Sequence, residues 1–141
     1  MAIKMRILYS SSKKKINTIA NMIKTQYDLA FNSVDVIPPS YSCDKERIVI
    51  IAVSAKGNIN DSLRLFCREL TKARAQNVAL MIDGDEAAAN KLKEILKEAG
   101  TNVIDEVLYV KGGLPIIGGS VKPAEKEEIF AWVERVIKNL A

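Results

Sequence analysis

RIVIIAVS, at residues 47–54, is the stretch from which the rest of the chain is read. Between Arg47 and Ser54 the run is apolar and rich in β-branched side chains, which suit an extended backbone. It has no alternating polar face. A strand of that kind is covered on both sides, as in a parallel sheet flanked by helices. Working outward, two more runs share the pattern: KMRILYS at residues 4–10, with Ile7, Leu8 and Tyr9 contiguous, and NVALMI at residues 77–82. SVDVI at residues 33–37 is shorter and alternates, and Pro38 and Pro39 end it because neither offers the donor a ladder needs. A fifth strand is expected over residues 103–110.

Between these runs the apolar spacing changes to that of a helix. Ile16, Ile19, Ala20 and Ile23 predict a helix over residues 16–30. Leu63, Phe66, Cys67 and Leu70 predict a second, with Asn60 or Asp61 as its cap. Ala88, Leu92, Ile95, Leu96 and Ala99 predict a third, stopped by Gly100. Ile129, Trp132, Val133, Val136 and Ile137 line a fourth, with Pro123 in its first turn. The order β-α-β-β-α-β-α-β-α is that of a three-layer α/β fold with an open parallel sheet, in one domain over residues 1–141. Residues 40–45 are too few for a crossover helix, so the second strand is left open as parallel or antiparallel.

The chain has 141 residues, of which 48% are hydrophobic and 27% charged, an ordinary globular balance. No run of about twenty apolar residues is present, so no membrane span is expected. MAIKMRILYS lacks the apolar core of a secretory leader, and a cytoplasmic location is the expectation. Cys43 and Cys67 have neither CxxC nor metal-cluster spacing; they read as two free thiols, with a regulatory disulfide as the alternative. There is no histidine, which excludes His-based triads, His metal sites and imidazole acid–base chemistry. A net charge of +4 and a pI of about 9.1 suit a phosphate-bearing ligand or an acidic partner. Nucleic acid is not expected as a partner, because no arginine-rich stripe or aromatic platform accompanies the charge.

In an open α/β sheet, ligands bind where the strands end. The first such loop carries the hydroxyls of Ser10, Ser11 and Ser12 and the ammonium groups of Lys13, Lys14 and Lys15, just before the free N–H groups of a helix start. Together these make an anion site; the plainer reading is a solvated turn. In the second loop, SAKGNIN, the residues Ser54, Ala55, Lys56 and Gly57 offer backbone groups to the edge of a planar ring, or form an ordinary turn. The third holds Asp83, Gly84 and Asp85. Its two carboxylates suit Mg²⁺ or acid–base work but lack a third ligand, and Asp85 equally suits an N-cap. The fourth, KGGLPIIGGS at residues 111–120, has four glycines, fitting either close approach of a partner or a long connection. Trp132 and Tyr9 are expected in the core, which leaves Tyr41 as the aromatic of the presumed rim.

The chain resembles the flavodoxin-like family over nearly its whole length. The resemblance rests on ILYSSS followed by Ile19 and Ala20, on IVIIAVS followed by Gly57, and on VALMIDGD with the later GGLP and the amphipathic last helix. It implies a sheet in the order 2-1-3-4-5 and FMN as cofactor. It also implies a first loop wrapped around the FMN phosphate, and loops after strands three and four against the isoalloxazine ring, commonly with an aromatic. The pattern is altered here: Ser11 keeps the first hydroxyl, but Lys13 stands at the first threonine, Lys14 at the glycine, Lys15 at a small polar position and Ile16 at the last threonine. Ala55 and Lys56 stand where a stacking aromatic is common. The implied function is that of an FMN-binding electron-transfer protein with a redox partner protein and no catalytic side chain. The alternative is a module of the same fold that has lost FMN and acts in protein interaction or on another phosphorylated ligand.

Overall fold

The apolar run around residues 47–54 forms the middle of a ten-residue strand, β3 (Glu46–Ala55). A computed structural model describes residues 5–10, 14–26, 33–36, 45–55, 59, 61–110 and 122–140. β3 pairs in parallel with β1 (Met5–Ser10) on one side and with β4 (Ala75–Gly84) on the other. β2 (Ser33–Val36) lies parallel outside β1, which settles the orientation that the short connection left open. The lanes run β2-β1-β3-β4-β5, the expected order.

Side chains alternate across the sheet, so each strand feeds two cores. Leu8, Val49, Ile51, Val53, Val78, Leu80 and Ile82 pack with α2 (Asp61–Arg68) and α3 (Glu86–Ala99). Ile7, Ile48, Ile50, Ala52, Ala79 and Met81 pack on the other face. There they meet Ile16, Ile19, Ala20 and Ile23 of α1 (Lys14–Gln26) and Ile129, Trp132, Val133 and Val136 of α4 (Pro123–Lys138). The four α1 residues are completely buried, as their spacing predicts, and each such isoleucine contributes roughly 1.5–3 kcal/mol. Trp132 is equally buried, and its Nε1 donates to the Glu106 carbonyl at 3.0 Å. α1 begins two residues before its predicted start, and its predicted end near residue 30 lies outside the described residues. α2 closes at Arg68; Leu70 is buried beyond it, its N–H donating to the Cys67 carbonyl in a tightened turn. α3 ends as predicted at Gly100, whose φ of 107° is available without a Cβ clash.

The fifth lane departs from expectation. One strand was expected over residues 103–110; two short ones form, β5 (Asn102–Val103) and β6 (Leu108–Tyr109), both parallel to β4. β4 advances three residues from Val78 to Met81 while the facing chain advances five, from Val103 to Leu108, so two residues bulge out. The bulge is held from outside the sheet. Lys93 of α3 donates to the Asp105 carbonyl at 2.9 Å, Trp132 to that of Glu106, and Arg135 of α4 chelates the Glu106 carboxylate at 2.7–3.2 Å.

The chain moves outward from β1 through α1 to β2, then in the opposite direction from β3 through α2, β4 and α3 to β5. Right-handed crossovers place those two sets of helices on opposite faces. The reversal falls between β1 and β3, and the crevice at their carboxyl ends is where such a fold takes a ligand.

Candidate functional site

The predicted site residues that are described gather along the carboxyl rim, but fewer of them lie in loops than the sequence suggested. Ser10 is the last residue of β1, while Lys14 and Lys15 are the first two of α1. Ser54 and Ala55 end β3 and pair with Asp83 and Gly84, which end β4. Asp83 and Gly84 were expected in an exit loop; the ladder extends through them because β3 offers partners to the same level. Ser11, Ser12, Lys13, Lys56 and Gly57, with Cys43, Tyr41 and residues 111–120, lie outside the described residues.

The two carboxylates of the third loop have different surroundings. Asp83 is only 8% exposed and accepts a hydrogen bond from Ser54 Oγ at 3.0 Å. That bond ties the ends of β3 and β4 together through side chains as well as backbone. Asp85 sits on the surface as the N-cap of α3, its Oδ1 accepting the Ala88 N–H at 2.9 Å, which satisfies a donor the helix cannot satisfy itself. Among the described residues no group of three His, Cys, Asp or Glu side chains is placed to hold a metal ion.

Charge divides the rim. A helix start is the positive end of its dipole and attracts anions. α2, α3 and α4 each place a carboxylate in the first turn (Asp61, Glu86 and Glu125), and α1 has none. The end of β1 therefore faces a positive helix start, whereas the end of β4 meets Asp85 and Glu86. Tyr9, expected in the core, is only partly buried; it packs against the α1–α4 side, and its hydroxyl accepts from Asn17 Nδ2 at 3.3 Å. At the other side of the rim stands Tyr109 of β6, 46% exposed. Sequence reasoning passed over it, because an outward residue in an alternating strand carries no signal of its own. Cys67 is fully buried, and burial pushes its thiol up to about 12, so it is an inert core residue.

No family model and no curated protein matches the sequence. Solved structures do. The chain is similar to the Streptococcus pneumonia TIGR4 flavodoxin, with a TM-score of 0.68 and 16% identity over 96% of this chain and 99% of that one. It is also similar to a short-chain flavodoxin associated with a PDU bacterial microcompartment, with a TM-score of 0.69 and 12% identity over the full length of both. At such identities the likeness is one of fold: this is a flavodoxin-like α/β sheet. Among the described residues no helix is long and apolar enough to cross a membrane.

Proposed function

We propose that the chain binds FMN along the carboxyl rim and passes electrons to a partner protein in the cytoplasm. The observation that carries this reading is the start of α1, which follows β1 at the reversal of strand order and has no carboxylate in its first turn. The donor chemistry fits a phosphate. Ser10, Ser11 and Ser12 supply hydroxyls, Lys13, Lys14 and Lys15 supply charge, and the helix start supplies N–H groups. Lysine acts as a point charge and needs no fixed fork geometry, so it can replace the hydroxyls of a threonine-rich loop electrostatically. The carboxylates at the end of β4 would repel a phosphate and tolerate a neutral ring. Charge therefore orients the ligand, phosphate toward β1 and ring toward β4, with Ser54, Ala55, Lys56 and Gly57 beside Asp83, Gly84 and Asp85 along its edge. The flavin supplies the redox chemistry when bound, and the protein positions it and sets its surroundings.

The second reading, a module that keeps the fold without FMN, is favoured by one feature. Ser54 and Asp83, the polar pair nearest the ring position, are already bonded to each other.

Titration of the purified protein with FMN, followed by flavin fluorescence, separates the two. Quenching and a yellow protein are expected, with affinity falling as salt rises. The double variant S11A/K13A should lose about tenfold in FMN affinity, roughly 1.4 kcal/mol, and keep its affinity for riboflavin, which has no phosphate. Equal losses would place the phosphate elsewhere. A protein that stays colourless and quenches neither flavin belongs to the second reading.

A further inference from the structure

The loops after β3 and β4 contain no aromatic residue, yet the rim presents one. Among the described residues two large hydrophobic side chains are exposed, Leu65 on α2 and Tyr109 on β6. Tyr109 pairs with Ile82, the residue before Asp83. The ladder continues past it, the Val110 N–H donating to the Ile82 carbonyl at 2.9 Å. The aromatic is therefore mounted on a paired strand at the level where β1 ends, two residues short of the ends of β3 and β4.

The bulge sets that level. Asn77 and Val78 of β4 face Asn102 and Val103; carried forward without the two extra residues, that register would set Val107 opposite Ile82 and leave Tyr109 two positions past it. With the bulge, Tyr109 is drawn back from the level of Gly84 to that of Ile82, the level at which Ser10 ends β1. Two residues are also an even number, so the alternation survives. Leu108 stays buried on the α1–α4 side, and Tyr109 faces the side where α3 begins. Its phenol is held above its usual range, by desolvation first and then by the carboxylates of Glu86 and Asp85.

The distance suits the proposed ligand. Three lane spacings separate β1 from the fifth lane, about 14 Å at ~4.8 Å each. A phosphate held at the end of β1 leaves a planar group on the far side of the rim, and planar groups need an apolar or aromatic wall.

We propose that Tyr109 is the wall against which the ring of the bound flavin packs, replacing the aromatic that the loops after β3 and β4 lack. The proposal rests on the FMN reading and goes beyond it by naming the residue that contacts the ring. A stacked aromatic acts through its face, so the hydroxyl is dispensable.

The test is titration of the wild-type protein, Tyr109→Ala and Tyr109→Phe with both FMN and riboflavin, with circular dichroism to show that each variant is folded. Tyr109→Ala should weaken both flavins by about tenfold, and flavin bound to it should recover emission that the wild-type protein quenches. Tyr109→Phe should stay within about twofold of wild type for both ligands and retain the quenching. The proposal is overturned if Tyr109→Ala binds both flavins as wild type does, if it loses FMN alone, or if Tyr109→Phe falls as far as Tyr109→Ala. A wild-type protein that binds neither flavin overturns the FMN reading itself and this assignment with it. Wild-type binding with an indifferent Tyr109 overturns only the assignment.

Discussion

The two ends of the sheet use polar side chains in opposite ways. At the amino end they are turned inward. Glu46 opens β3 at 1% exposure, in an ion pair with Arg6 of β1 at 3.3 Å. Asn77 of β4, completely buried, donates to the Arg47 carbonyl at 2.9 Å and accepts from Asn102 of β5 at 2.8 Å. Thr101 Oγ1 donates to the Ala75 carbonyl at 2.7 Å. These bonds stitch the lanes of β1, β3, β4 and β5 together. At the carboxyl end only Ser54 and Asp83 are joined across lanes in this way among the bonds described above, while Asp85 and Tyr109 stand at the surface. Buried polar groups must find partners inside the protein, and in doing so they leave nothing for a ligand. The amino end is built for cohesion, and the carboxyl end is where the ligand is proposed to bind.

The largest expected effect tests the first half of that contrast. Arg6→Ala leaves the Glu46 carboxylate in the interior without its guanidinium, and breaking a buried pair in this way costs about 3–5 kcal/mol. Urea unfolding should show the loss, while flavin affinity per folded molecule should not change. Replacing both partners, as Arg6→Met with Glu46→Leu, should recover most of the stability, because no buried charge remains. A variant of Arg6 that unfolds normally but loses flavin binding would break the division of labour between the two ends.

The second test lies at the rim, where one residue has both a structural and an electrostatic role. Asp85→Ala removes the N-cap of α3 and should cost about 1 kcal/mol, whereas Asp85→Asn keeps a capping oxygen and should cost little. Both variants remove a carboxylate from the ligand's side of the rim. Both should therefore raise FMN affinity, by about two- to fivefold at low salt, with the gain shrinking as salt is added. An affinity that follows stability instead of charge would show that Asp85 matters to the ligand only through the helix.

What was legible in the sequence was what local pattern determines. The continuous runs in β3 and β4, the spacing of Ile16, Ile19, Ala20 and Ile23, the Asp85 cap and the Gly100 stop all involve residues close in the chain, and each is found where the pattern put it. The misses involve distant partners. Asp83 and Gly84 became strand because Ser54 and Ala55, 29 residues earlier, extend the ladder to them. The fifth strand broke where Lys93 and Trp132 bind the backbone carbonyls of Asp105 and Glu106 and Arg135 binds the Glu106 side chain, and none of those pairings leaves a trace in the run at 103–110. Tyr109 was given no role for the same reason: its register against Ile82 is set by that break. Of the proposed anion site, the strand–loop–helix order was legible, but Lys14 and Lys15, expected in the loop, begin α1.

The smallest effect concerns the ion pair on that bulge. Hydrogen bonds from Arg135 hold the Glu106 carboxyl below its ordinary range, at Nε–Oε1 2.9 Å and Nη2–Oε2 2.7 Å. A carboxyl whose pKa is depressed by folding adds stability that is fully present above its unfolded value, about 4.3, and that drains away as pH falls through the lower folded value. Both side chains are 49% exposed, so solvent screens the pair and the contribution is small. Glu106→Gln should therefore shift the urea midpoint slightly at pH 7, less in high salt, and not at all once the wild-type carboxyl is protonated. The bulge should survive the change, because Trp132 and Lys93 grip the backbone carbonyls of Glu106 and Asp105 and not the carboxylate. Tyr109 then keeps its place, and riboflavin affinity stays at the wild-type value. If Glu106→Gln instead weakens riboflavin as Tyr109→Ala is expected to, the ion pair rather than the backbone grip is what sets the register of β6 against β4, and the level at which Tyr109 meets the ligand depends on a surface charge.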